Sequence, residues 1–301
     1  MRPQRMTPDF FLVGAPRCGT TALCNYLRTH PEVFVSSPKE PTYFGRDLVP
    51  KRYATLESYL ELFSNTGGAI RAGDGSVAYL ASEFAAEEIH EFNPRALILI
   101  LLRNPVDMIF SLHRKHYLMG IEPCRTLEDA LAAEPGRLAS GAGVPEGVCP
   151  KVISLRHRAN YVPQIKRFLD VFPATQIKLF QFDDFQANPA RAFRESCHFL
   201  GVREDVQLQC GPHNVGRDIK CASWHEFLTR TPRWGQFLAR VALPSPEWRK
   251  RVQKFLLCKN SCAGKTTKMP DDLRRHLKRE LAPEISELSK LVGWDLSHWS
   301  N

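Results

Sequence analysis

No apolar run in this 301-residue chain approaches the roughly 20 residues that cross a bilayer as a helix; the longest, Ala96 to Leu102, is strand-sized. The N-terminus, MRPQRMTPDFFLVG, lacks the long apolar stretch and small-residue cleavage site of a secretory leader. A soluble, cytoplasmic protein is therefore expected. The nine cysteines are odd in number and scattered, and Cys258 and Cys262, a lone C-x-x-x-C pair, have no second pair or histidine set beside them. That spacing is a poor zinc signal, so reduced thiols and no metal are expected, with a local disulfide left open for an oxidising compartment. No aromatic-interleaved RNA-binding pattern, zinc-finger spacing or basic coiled coil is present, so nucleic acid is not an expected partner. There is no internal repeat.

What is present points elsewhere. A hydrophobic fraction of 43% is ordinary for a chain with a buried core. The net charge of +9 is uneven: residues 213–281 hold 16 Lys and Arg against 6 Asp and Glu, a net of +10 that leaves the remainder near −1. Such a block suits an anionic partner, whether a nucleotide, an acidic glycan or a lipid head group.

Along the chain, strands alternate with helices. Apolar strands are expected at 9–14, 33–37, 96–102 and 176–182, and another from 69 that runs into a glycine turn at Gly73–Gly75. Helices are expected at 20–29, 56–63, 82–92, 154–172 and 189–200, and in the tail at 222–229, 247–257 and 270–291. Asn104-Pro105 is a helix-start signal, with Asn104 as N-cap and Pro105 at the first helical position of a helix to about Leu118. Residues 134–150, EPGRLASGAGVPEGVCP, read as a long Gly/Pro-rich loop. The pattern predicts one α/β domain over 1–301: a central parallel sheet flanked by helices on both faces, P-loop NTPase-like, over about 8–205, followed by a basic, mostly helical C-terminal region. Ligands of such sheets sit at the carboxyl ends of the strands, where Gly14–Thr21, Gly73–Ser76 and Arg103–Ser111 all fall.

The first of these segments nearly spells a phosphate loop. Gly14 and Gly19 give the G-x-x-x-x-G spacing and Thr21 the hydroxyl, but Thr20 stands where the lysine belongs, and Arg17 lies inside the loop. A glycine-bounded turn opening a helix offers backbone N–H groups and a dipole end to an anion. Taken alone, it is equally an ordinary strand–helix turn. The second segment decides between ligands. In an ATP-hydrolysing P-loop enzyme the comparable strand carries an acidic residue for Mg²⁺, whereas here it ends in Arg103, with Ser111 eight residues on. Two anionic ends and no obligatory metal describe 3′-phosphoadenosine 5′-phosphosulfate, which leaves as 3′,5′-bisphosphoadenosine.

The sequence resembles the sulfotransferase family. GAPRCGTTAL is similar to the family's 5′-phosphosulfate loop and LLRNPVDMIFSLHRKH to its 3′-phosphate motif; KEPTYF (39–44), GDGSVAYL (73–80) and LVGWDLSHW (291–299) extend the likeness. It is closest to the bacterial-type, tyrosylprotein and heparan-sulfate branches. The resemblance implies that Arg17, Cys18, Gly19, Thr20 and Thr21 hold the 5′ side of the donor, with Arg17 also catalytic. Arg103 and Ser111 would hold the 3′ side, with Lys265 and Lys268 closing over it and Lys220 similarly placed. It implies Glu40 as general base. His113 and His116, since other branches use histidine, rank below it. Lys39, Asp74, Ser76 and Tyr79 are the candidates for acceptor contacts, the plainer reading of the last three being turn formation and core packing. Where heparan-sulfate members carry a lysine and a histidine, this chain has Gly75 and Thr42, both on the acceptor side. The expected reaction is sulfuryl transfer to a hydroxyl or amine of a glycan, lipid or natural product, and the basic tail suits an acidic one. The rivals are a P-loop kinase or NTPase and a non-enzymatic anion- or nucleic-acid-binding protein.

Overall fold

The computed structural model describes residues 6–49, 51–208, 217–219, 261–263 and 268–300, with single positions between 245 and 259. Five strands form one parallel sheet: β1 Phe10–Gly14, β2 Val33–Val35, β3 Arg71–Asp74, β4 Leu97–Leu102 and β5 Ile177–Gln181, in the order β2-β3-β1-β4-β5. β1 is buried at every position and β4 at all but its first, as expected of parallel strands covered on both faces. From β1 the chain proceeds towards β2 on one side, and from β4 towards β5 on the other. The crevice at the carboxyl ends of these two neighbours is thus a topological switch point.

The helices are α1 Thr20–Arg28, α2 Leu56–Leu60, α3 Ala85–Phe92, α4 Pro105–Leu118, α5 Leu127–Ser140, α6 Pro150–Ile153, α7 Leu155–Ala159, α8 Tyr161–Val171, α9 Phe182–Ala187, α10 Pro189–Leu200, α11 Asp271–Val292 and α12 Ser297–Ser300. α4 starts as its sequence predicts: the Asn104 side chain accepts from the Val106 N–H at 3.0 Å, with Pro105 at the first position. The Asn104 amide also donates to the Trp299 carbonyl at 3.0 Å, which ties the C-terminal turn to the start of α4. None of the helices among the described residues is long and apolar enough to cross a membrane.

Two expectations need correction. Residues 134–140 are not loop but the end of α5, which runs through Pro135. Proline at that position leaves the Leu131 carbonyl without its helical partner, and the Arg156 guanidinium supplies one at 2.9 Å. A buried, two-pronged ion pair, Arg137 to Glu122 at 2.7 Å on each arm, holds the same helix. The helix expected over 154–172 is two helices parted at Asn160 (φ −80, ψ 78). Pro163 is tolerated in the first turn of α8 but would clash with a helix continuing from Ala159. Instead the Val162 N–H is capped by the Glu284 carboxylate of α11 at 2.8 Å.

In the tail, α11 matches the expected helix at 270–291. A small antiparallel pair, β6 Arg217–Ile219 and β7 Ser261–Ala263, was not anticipated. The expected helix at 222–229, most of that at 247–257, and Lys220 and Lys265 lie outside the described residues, as do the side chains of Cys258 and Cys262.

Candidate active site

The turn after β1 carries the first half of the site. Arg17 (φ 62) and Gly19 (φ 84) both have left-handed backbones. Gly19 is required twice over, because a Cβ there would also lie 2.8 Å from the Phe185 ring. α1 then starts with no side-chain cap and no acidic residue in its first turn, so its leading N–H groups face the crevice unopposed by charge. Cys18 points inward: its thiol donates to the Pro16 carbonyl at 3.3 Å, and burial pushes its pKa up to about 12, so the side chain is an inert thiol. Thr20 is buried and Thr21 exposed.

The turn after β4 supplies the second half. Arg17 Nε donates to Ser111 Oγ at 2.8 Å, joining the two sequence segments across the crevice. The Arg103 guanidinium lies 3.5 Å from the Arg17 carbonyl and stacks over the Phe182 ring at 4.7 Å. Arg17 keeps an exposed face, yet desolvation by the surrounding loop, then the neighbouring Arg103 charge, hold its pKa below the usual guanidinium range.

The segment after β2 carries Lys39 and Glu40. Glu40 is 30% exposed, and Lys39, 13% exposed, lies 4.0 Å from it. The Lys39 ammonium is 3.4 Å from Thr20 Oγ1 and 3.5 Å from Thr21 Oγ1, which places it against the first turn of α1. Asp74, Ser76 and Tyr79 are fully buried, so a direct acceptor contact is not open to them in this conformation. They build the floor under the Glu40 segment instead. Asp74 accepts from the hydroxyls of Ser76 at 2.6 Å, Tyr79 at 2.8 Å and Tyr59 at 2.9 Å. Ser76 Oγ accepts from the Thr42 N–H at 2.9 Å, and Tyr79 Oη from the N–H groups of Tyr43 at 2.9 Å and Phe44 at 3.3 Å. Thr42, at φ 56, is a β-branched residue in a left-handed conformation, which only such a framework sustains.

Sequence reasoning passed over Lys115 and Arg158. Lys115 lies one turn beyond Ser111 on the same face of α4. Burial lowers its pKa, Arg17, Lys39 and Arg158 push the same way, and Glu40 opposes them. The i, i+4 spacing from Ser111 was the signal available. Arg158, 3% exposed, donates to the Val77 carbonyl at 2.9 Å, and burial lowers its pKa while Glu40 raises it. No local sequence feature marks it. Both histidines of α4 are buried: His113 pairs with the Cys124 carbonyl at 3.1 Å. His116, whose Nδ1 has no hydrogen-bond partner, is pushed down to about 3 by burial and by the charges of Lys115 and Arg158. Lys268 is exposed just ahead of α11. That helix reaches α4 through Arg274 and Asp107 at 2.9 Å.

Lys39, Lys115 and Arg158 thus act on one carboxylate, Glu40, while Arg17 and Arg103 stand side by side at the loop after β1. The sulfotransferase domain family matches residues 7–211 of the chain. Carbohydrate sulfotransferase 15 of Rattus norvegicus is 31% identical over 155 residues, which cover 36% of this chain and 27% of that protein. Bifunctional heparan sulfate N-deacetylase/N-sulfotransferase 1 of Mus musculus is 26% identical over 233 residues, covering 73% of this chain and 25% of that protein. The chain thus spans about a quarter of the length of these relatives. The crystal structure of a sulfotransferase from Alicyclobacillus acidocaldarius superposes with a TM-score of 0.72 at 27% identity, covering 98% of this chain and all of that one.

Proposed function

This chain belongs to the sulfotransferase family, and from that membership we propose that it moves a sulfuryl group from 3′-phosphoadenosine 5′-phosphosulfate to a hydroxyl or amine of an acceptor. The observation that carries the reading is the pairing of Arg17 with Arg103 at the carboxyl ends of β1 and β4, with Lys115 and Arg158 acting on Glu40 beside them. A magnesium-bound triphosphate asks for a carboxylate at the end of β4, and Arg103 in that place suits a bare phosphate. In this reading the uncapped first turn of α1, with Thr20 and Thr21, holds the 5′-phosphate. Arg103 and Ser111 hold the 3′-phosphate, and Lys268 closes on that side. Glu40 takes the proton of the attacking group, whose lone pair forms the new bond to sulfur. The electrons of the breaking S–O bond pass to the 5′-phosphate oxygen, where Arg17 neutralises the charge. No step needs a metal. Since the rat relative is named for carbohydrate acceptors, a glycan stands first among the acceptors, ahead of a lipid or natural product. The unpaired Cys18, Cys24, Cys124, Cys149 and Cys197 suit a reducing, cytoplasmic compartment.

The test is the melting-temperature shift with 3′,5′-bisphosphoadenosine against AMP and ATP·Mg²⁺ at equal concentration. A ligand at roughly 100 times its dissociation constant stabilises the fold by about 2.7 kcal/mol. A shift with the bisphosphate that Arg103→Ala abolishes is expected. A shift with ATP·Mg²⁺ alone would replace this reading with a kinase or NTPase.

A further inference from the structure

The phosphate loop has Thr20 where a lysine is usual, yet an ammonium stands beside that threonine. Lys39 reaches it from the segment after β2, 19 residues away, with Nζ 3.4 Å from Thr20 Oγ1 and 3.5 Å from Thr21 Oγ1. These are long contacts for a group with three donors, and Glu40, at 4.0 Å, is no closer. The side chain is only 13% exposed, so most of its stem lies against protein rather than water. What it lies against is Gly75, at the end of β3. A Cβ at that position would be 3.1 Å from Lys39 Cε, 3.8 Å from Lys39 Cγ and 2.7 Å from Cys24 Sγ. Residues 39 and 75 therefore share one space: a lysine stem fills it because the glycine leaves it open.

We propose that Lys39 is the missing lysine of the phosphate loop, supplied from the segment after β2, and that it binds the 5′-phosphate of the donor rather than the acceptor. The inference rests on the donor reading above. An anion on the first turn of α1 would complete all three groups at once, taking hydrogen bonds from the Thr20 and Thr21 hydroxyls and a shorter one from the Lys39 ammonium. Gly75 is then a positioning residue, since a side chain there would press on Cys24 Sγ of α1 and on the Lys39 stem together.

Calorimetric titration of wild type, Lys39→Ala and Lys39→Arg with 3′,5′-bisphosphoadenosine, adenosine 5′-phosphate and adenosine 3′-phosphate separates the possibilities. Loss of a charged hydrogen bond predicts that Lys39→Ala binds the bisphosphate and the 5′-phosphate about tenfold to a hundredfold more weakly, with arginine recovering part. Affinity for the 3′-phosphate should not change. Unchanged 5′-phosphate affinity would overturn the proposal, and so would equal losses on both monophosphates, which would make Lys39 only part of a general field. Gly75→Ala, checked for folding by its melting temperature, should reproduce the selective loss. A folded Gly75→Ala with wild-type affinity would overturn the shared-space argument. Wild type that fails to bind the bisphosphate at all would sink the donor reading and this inference together, an outcome distinct from the others.

Discussion

Arg17 Nε donates to Ser111 Oγ at 2.8 Å, so the loop after β1 and the helix after β4 meet directly. A serine hydroxyl has two acceptor lone pairs and one donor, and accepting from Arg17 leaves its own O–H free for a phosphate oxygen. Ser111 would therefore serve both as ligand and as the anchor of the guanidinium proposed to neutralise the leaving group. Ser111→Ala is expected to weaken binding of 3′,5′-bisphosphoadenosine by about tenfold and to lower turnover further, because Arg17 loses its fixed position. Arg17→Ala should cost about 10²–10³ in turnover, the usual loss for a removed oxyanion donor. Binding by calorimetry and release of the bisphosphate from the sulfated donor measure the two effects. A Ser111→Ala enzyme with wild-type values for both would show the contact to be incidental.

Tyr79 offers a sharper separation of binding from turnover. Its hydroxyl donates to Asp74 at 2.8 Å and accepts from the Tyr43 and Phe44 N–H groups, directly beneath the segment that carries Glu40. Tyr79→Phe keeps the ring and strands those buried partners, so a stability loss of about 1–3 kcal/mol is expected in urea unfolding. Turnover should fall as Glu40 loses its support, while affinity for the bisphosphate holds within about twofold, since the hydrogen bonds of Tyr79 run to Asp74 and the 43–44 backbone and not to the loops after β1 and β4. Equal loss of affinity and turnover would mean the network supports the whole crevice and not the Glu40 segment in particular.

The same residues show what a sequence can reveal. The strands at 10–14 and 97–102 are continuous apolar runs, and Asn104-Pro105 marks a helix start by local chemistry alone, so these elements and the turns after them were legible. GDGSVAYL was not. Its polar residues admitted two readings, acceptor contacts or turn and core packing; they are buried, and their partners, Tyr59 and the backbone at 42–44, are ones no local pattern connects to them. Lys39 was legible as a charge near Glu40 and illegible as a loop ligand, because its direction depends on Gly75 of another strand. Pro135 misled for a related reason: its helix is sustained by Arg156, whose guanidinium takes the freed carbonyl from outside the segment. Local order was written locally, and each misreading turned on a contact made across the fold.

Two buried groups of the site oppose each other in acid. Burial, with Lys115 and Arg158 adding to it, pushes His116 down to about 3 from an ordinary 6.5. The unfolded chain therefore takes that proton first, and the stability His116 contributes, full above 6.5, is lost as the pH falls. Burial pushes Asp74 up to about 6 from 3.8, against its three hydroxyl donors. Here the folded chain takes the proton first, so the contribution is full below 3.8 and is lost as the pH rises through 6. Each effect is limited to about 1.4 kcal/mol per pH unit, and between the two inner values they largely cancel. His116 has the wider window, so the pair as a whole still favours unfolding in acid. Urea unfolding between about pH 4 and 8 should show Asp74→Asn with a steeper acid loss than wild type, because the compensating gain is gone. His116→Gln should show a flatter one. If Asp74→Asn runs parallel to wild type across this range, the carboxyl stays ionised under its three hydroxyls. The charge at the floor of the site would then be a permanent part of the field around Glu40, not one that the fold can discharge.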